Sequence, residues 1–109
     1  MANQVVLDRV FAACAHPIRR GIIERLGVRE MTVGEATHGF GVSKPAISRH
    51  LRVLEEAGAI VRVIDGRNHR LRLSADALEE ADGWIGSQRA LWARKFSVVD
   101  HYLAERAAE

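Results

Sequence analysis

Apolar residues return every three or four positions along most of this chain, and the places where that rhythm fails mark its turns. Val6, Val10, Phe11 and Cys14 keep helical spacing, which predicts a helix over 4–15. His16-Pro17 breaks it, and Pro17 suits the first turn of a second helix, where a missing N–H costs nothing. That helix is expected to run to about residue 26, with Ile18, Ile22 and Leu26 on one face and Gly27 placed to cap its end. Thr32-Val33-Gly34-Glu35 has the form of a capping box and opens a short helix, which Gly39 and Gly41 stop. Ser43 caps a fourth helix over 44–57, with Pro45 tolerated in its first turn and Gly58 ending it. Residues 60–64 and 70–73 are β-prone, and Asp65-Gly66-Arg67-Asn68 between them supplies hairpin turn chemistry. Ser74 and Asp76 suit the start of a last helix over about 75–107, roughly 45–50 Å long, with a bend expected near Gly83 and Gly86. The predicted order is α-α-α-α-β-β-α, a mainly α fold with one β-hairpin, in a single domain over 1–109.

Composition narrows the class. The 109 residues are 48% hydrophobic and 28% charged, as in globular domains. No window approaches ~18 uncharged apolar residues, so no membrane span is expected. Residues 1–10 lack the features of a signal peptide, and the lone Cys14 excludes an internal disulfide; both fit the cytoplasm. The net charge of +2 hides an asymmetry: residues 1–73 carry 12 Lys+Arg against 7 Asp+Glu, whereas 74–109 carry 4 against 7. A basic body suggests an anionic partner, although a solvated charged surface has the same composition.

The arrangement of short helix, tight turn, helix and basic hairpin is that of a winged helix-turn-helix, whose second helix packs on the body with one face and meets the DNA major groove with the other. Stepping ~100° per residue from Lys44, Ile47, Leu51 and Leu54 fall within roughly 280–340°, while Lys44, Pro45, Ser48, Arg49 and Arg52 fall within roughly 0–140°. The acids Glu55 and Glu56 come only at the far end. Arg49 has the bidentate fork that suits guanine O6 and N7, Ser48 suits a base edge or phosphate, and Lys44 suits a phosphate or a guanine. The helix starts at Thr32 and Ser43 offer backbone N–H groups to phosphate. On the hairpin, Arg67, His69, Arg70 and Arg72 are placed to follow the adjacent DNA backbone or minor groove. Residues 41–73 hold 7 Lys+Arg and 3 Asp+Glu, so the excess lies where this reading needs it.

Two stretches carry a family resemblance: Ala15-His16-Pro17-Ile18-Arg19-Arg20 with Ile22-Ile23-Glu24, and the run from Ser43 through Leu54 continuing into Ala57-Gly58-Ala59-Ile60-Val61. They resemble the ArsR-type (ArsR/SmtB) winged helix-turn-helix repressors, over about residues 6–103. The resemblance implies a bacterial dimeric repressor bound to inverted repeats of double-stranded DNA, with contacts from Lys44, Pro45, Ser48 and Arg49. Metal-sensing members carry Cys-x-Cys where this chain has Thr32 and Gly34. Others place ligands along the last helix, where this chain has Asp82, Asp100 and a single His101 without the family's spacing. Trp84, Trp92, Asp100 and Leu103 are similar to the metal-free branch, so no metal or cofactor is expected.

Other readings have less support. Cys14 and His16 point ~200° apart and do not suit a shared metal; Cys14 reads as a small hydrophobe. His38, His50 and His101 read as structural or solvated. Leu78, Ile85, Trp92 and Val99 repeat every seven residues with Phe96 and Leu103 beside them. A ligand pocket is one use for that stripe; packing against a second copy is the default, because a body of ~75 residues cannot cover so long a helix. A homodimer is expected through Val6, Val10, Phe11, Trp92, Phe96, Val99 and Leu103, with recognition helices roughly 34 Å apart. No phosphate loop, HExxH or nucleophile elbow occurs, and Glu55-Glu56 and Glu79-Glu80 splay, so no enzyme is expected. The alternatives are a ligand- or thiol-responsive repressor of the same fold and a dimeric winged-helix module that binds protein.

Overall fold

The structure is a computed structural model that describes residues 4–108; residues 1–3 and 109, the ends of the expected domain, lie outside the described residues. Helix α1 (Gln4–Cys14) turns Leu7, Val10 and Ala13 inward. Helix α2 (Pro17–Val28) starts at its proline, with His16 as N-cap: the ring Nδ1 accepts the Ile18 N–H at 3.1 Å. Gly27 does not end this helix, which continues to Val28 before Arg29 turns extended. The chain there enters a strand that the sequence pattern did not announce. This β1 (Met31–Thr32) precedes α3 (Val33–Thr37), α4 (Lys44–Glu56), β2 (Ile60–Asp65), β3 (Asn68–Leu73) and α5 (Ala75–Ala108). The expected hairpin is therefore part of a three-stranded antiparallel sheet of order β1-β3-β2, with Met31 opposite Leu71.

Local chemistry explains most boundaries. Thr32 Oγ1 accepts the Glu35 N–H at 3.2 Å and Glu35 Oε1 accepts the Thr32 N–H at 3.1 Å, which completes the capping box of α3. Hydrogen bonding from Arg29, then from the backbone and hydroxyl of Thr32, lowers the Glu35 pKa from 4.5 to about 2. The cap therefore persists above that range and fails only as pH falls through it. Ser43 Oγ accepts the Ala46 N–H at 3.3 Å and starts α4. The strands are longer than expected, since Asp65 pairs with Asn68 and only Gly66 and Arg67 form the turn. Gly66 has φ +61° and Arg67 has no positive φ, the type II′ pattern that demands glycine first. Ser74 does not cap α5 with its side chain: its hydroxyl makes no hydrogen bond among the described residues, and its N–H donates to the Ala59 carbonyl at 2.9 Å. Helix α5 continues through Gly83 and Gly86 as one element of 34 residues, about 51 Å long.

The main core gathers Ile22 and Leu26 of α2, Leu51 and Leu54 of α4, Ile60 of β2 and Leu71 of β3. A smaller cluster joins Val10 of α1 to Ala77 and Ala81 at the root of α5, with Val6 and Leu78 partly buried beside it. Val10 is completely buried there, so it holds α5 to its own protomer and has no surface to offer a partner. Its helical spacing correctly marked an inward face, but spacing does not say which chain covers that face.

The turn between α3 and α4 is fixed by Arg25, whose Nη1 donates to the carbonyls of Ala36 at 3.1 Å and His38 at 2.8 Å. The same guanidinium lies 4.2 Å from the Phe40 ring centroid. Phe40 presses on α2 at a glycine: a Cβ on Gly21 would lie 2.9 Å from Phe40 Cε1. Gly21→Ala is therefore expected to push this ring off its site, and the gain of about 0.5–1 kcal/mol in helix propensity offsets part of that cost, leaving a net loss of about 1 kcal/mol, measured by denaturant unfolding.

Candidate nucleic-acid interface

Helix α4 carries the candidate site because its two faces meet different surroundings. Leu51 and Leu54 are buried and Ile47 half-buried, which fixes the helix to the body. Lys44, Pro45, Ser48, Arg49 and Arg52 are all exposed on the remaining arc. Lys44, Arg49 and Arg52 make no hydrogen bond or ion pair among the described residues. Desolvating an already paired arginine for a phosphate requires breaking its first partner; these three cations have none to break.

The hairpin cations divide differently. Arg67 sits exposed at the turn and Arg72 is exposed on β3, both without a partner among the described residues. Arg70 is held by Glu30, Nε to Oε1 at 3.0 Å, across the pair of β1 and β3. His69 lies on the other face of β3, half-buried, and its Nδ1 is 3.1 Å from Arg62 Nη1. Arg62 also binds Glu55 at 2.7 Å, tying the hairpin to the last turn of α4. The Thr32 and Ser43 hydroxyls are likewise occupied as helix caps. Of the expected contact residues, the structure thus leaves Lys44, Pro45, Ser48, Arg49, Arg52 and Arg67 open, and engages the side chains of Thr32, Ser43, His69 and Arg70 within the fold. Sequence reasoning missed Glu55, Arg62 and Glu30 as organisers of the hairpin. Alternation along the strands placed Arg62 and His69 on one face, which was the available signal.

Helix α5 is covered only at its root. Phe11 meets Trp84 edge-on at 5.6 Å, and beyond that point Trp92, Phe96, Val99, Tyr102 and Leu103 are all more than half exposed. Among the described residues, no three His, Cys, Asp or Glu side chains come together as a metal-binding group, and no helix is long and apolar enough to cross a membrane.

Comparison with known proteins agrees with this geometry. The family described as helix-turn-helix domain matches residues 15–63. The transcriptional repressor SdpR of Bacillus subtilis is 33% identical over 79 residues, covering 72% of this chain and 88% of that protein. The solved structure of an ArsR family transcriptional regulator superposes with a TM-score of 0.76 at 28% identity, covering 81% of this chain and 97% of that one. An ArsR-like transcriptional regulator from Rhodococcus sp. RHA1 gives a TM-score of 0.73 at 27% identity, covering 87% of this chain and 90% of that one. An exposed cationic recognition helix, a β-hairpin beside it and relatives that match across most of their length lead to one conclusion: the chain belongs to the ArsR-type winged helix-turn-helix transcriptional regulators, a non-enzymatic DNA-binding family.

Proposed function

We propose that the chain is a cytoplasmic repressor that binds an inverted-repeat operator as a homodimer and needs no metal for it. The observation that carries this reading is the unpaired arc of Lys44, Arg49 and Arg52 on a helix anchored by Leu51 and Leu54. That arc enters the major groove, with Arg49 and Ser48 at base edges, while Arg67 at the hairpin turn lies along the flanking phosphates. The exposed apolar face of α5 supports the dimer, and two-fold symmetry then repeats the half-site about one DNA turn away. Thr32 and Gly34, at the positions of the family's Cys-x-Cys pair, have no thiolate to offer a metal.

Selection of bound DNA from a random pool tests this directly. An enriched inverted repeat is expected; no enrichment would favour a protein-binding module instead. On the selected site, Arg49→Ala is expected to relax base preference at one position and cost about 1–3 kcal/mol. Arg67→Ala is expected to weaken all sequences alike and reduce the salt slope by about 1. Addition of zinc or oxidant is expected to leave the melting temperature unchanged; a shift would favour the metal- or thiol-responsive alternative.

A further inference from the structure

Three side chains outside the DNA-facing arc meet where α1, α2 and α4 converge. Arg19 of α2 donates from Nε to the Ala13 carbonyl at 2.8 Å and from Nη2 to the Ala12 carbonyl at 2.9 Å, which closes the last turn of α1. Its remaining Nη1 lies 3.1 Å from Nδ1 of His50, which sits on α4 directly after Arg49. The His50 ring packs on that of His16, with centroids 4.3 Å apart. His16 in turn caps α2 by accepting the Ile18 N–H on its own Nδ1.

The protonation state of this cluster follows from the donors. Arginine has no acceptor, so His50 Nδ1 must present its lone pair, and a backbone N–H requires the same of His16 Nδ1. Both neutral rings therefore carry their proton on Nε2. A second proton on either ring places an N–H against an N–H: on His50 it opposes Arg19, and on His16 it removes the helix cap.

We infer that Arg19, His16 and His50 form a proton-sensitive joint that positions the recognition helix against α1, so that operator binding weakens when His50 is protonated against Arg19. The three are positioning residues; none lies on the DNA-facing arc. The inference rests on the DNA-binding reading given above.

The surroundings of His50 favour its neutral form. Burial lowers its pKa from 6.5, and interaction with His16 and with the Arg19 and Arg49 guanidinium groups lowers it further. From α1 the groups at this joint are the carbonyls of Ala12 and Ala13, both already bound to Arg19, and among the described residues no carboxylate acts on the ring. For a base with a lowered folded-state pKa, the stabilisation is complete above the ordinary value of 6.5 and is lost as pH falls through the lowered one. The joint should therefore hold at neutral pH and release on the acid side.

Asparagine offers an acceptor near the position of Nδ1, does not titrate and caps helices well. The test compares the wild type with the H16N/H50N double variant, by fluorescence anisotropy on DNA selected by the wild type, between about pH 8 and about pH 5.5. At the upper limit the two should bind within about twofold, and at the lower limit the wild type should be severalfold weaker than the double variant, because only the wild type takes up the proton that opposes Arg19. His69 and the other histidines are common to both proteins and cancel. Parallel profiles, or a wild type that binds tighter in acid, would overturn the joint while leaving DNA binding intact; a wild type that binds no DNA at the upper limit would overturn both. If the double variant fails to fold, imidazole NMR of the wild type without DNA decides. The Nε2–H tautomer of His50 at neutral pH is required, and the Nδ1–H tautomer excludes the joint.

Discussion

Phe96→Glu is expected to yield a folded monomer that has lost tight operator binding. Phe96 is 64% exposed and lies well beyond the root of α5, where Ala77 and Ala81 close on Val10. Its replacement therefore leaves every core contact of the protomer in place. Stepping ~100° per residue from Trp84, the residues Ile85, Trp92, Phe96, Val99, Tyr102 and Leu103 occupy an arc of roughly 0–120°. Ala77 and Ala81 fall on that same arc. The face that α1 covers at the root thus continues, uncovered, along the rest of the helix. Helix α1 has 11 residues against the 34 of α5, so about two-thirds of the longer helix extends past its reach. A carboxylate in the middle of that apolar seam has no partner and resists burial. Because linking two half-site contacts raises affinity by about 10²- to 10⁴-fold, a loss of that order is expected on the selected inverted repeat. Sedimentation should give half the wild-type mass, and unfolding should become independent of protein concentration. Phe96→Leu should keep the dimer. A Phe96→Glu protein that remains dimeric would place the interface on another surface.

What the sequence could reveal follows the distance between interacting residues. The capping box at Thr32 and Glu35, the Ser43 cap and the Gly66-Arg67 turn were legible because every participant lies within four positions. The two faces of α4 were legible for the same reason, since one helical period contains both. Strand β1 was not: two residues have no periodicity, and Met31 becomes a strand only through Leu71, 40 positions later. The Glu30 partner of Arg70 is the same distance away and follows from the same pairing. Without it, Arg70 reads as a free phosphate contact. His50 read as structural, and its link to Arg19 spans 31 positions. Val10 shows the complementary limit, because an apolar residue on a helix looks alike whether its own chain or a second copy covers it. Gly27 read as a cap because nothing local showed that the helix would run on to Val28 before the chain turned into the sheet.

Leu54→Ala should produce the opposite phenotype to a substitution on the other face of the same helix. Leu54 is completely buried among Ile22, Leu51, Ile60 and Leu71, where α2, α4 and the sheet meet. Truncating a leucine at such a position removes its transfer free energy and leaves a cavity, at a cost of about 2–5 kcal/mol. Domains of this kind hold about 5–15 kcal/mol in all, so a large share of the stability is at stake. Arg52 lies on the exposed arc of α4 without a partner among the described residues. Arg52→Ala is therefore expected to change stability by no more than about 0.5 kcal/mol and yet to weaken DNA binding and flatten its salt dependence. Denaturant unfolding at fixed protein concentration measures the first effect, and anisotropy at several salt concentrations the second. For Leu54→Ala, well below the unfolding temperature, the remaining folded protein should bind DNA with nearly the wild-type salt slope, because its cationic arc is untouched. If Leu54→Ala instead altered the salt slope while Arg52→Ala destabilised the fold, the two faces of α4 would be assigned the wrong way round, and with them the surface that meets DNA.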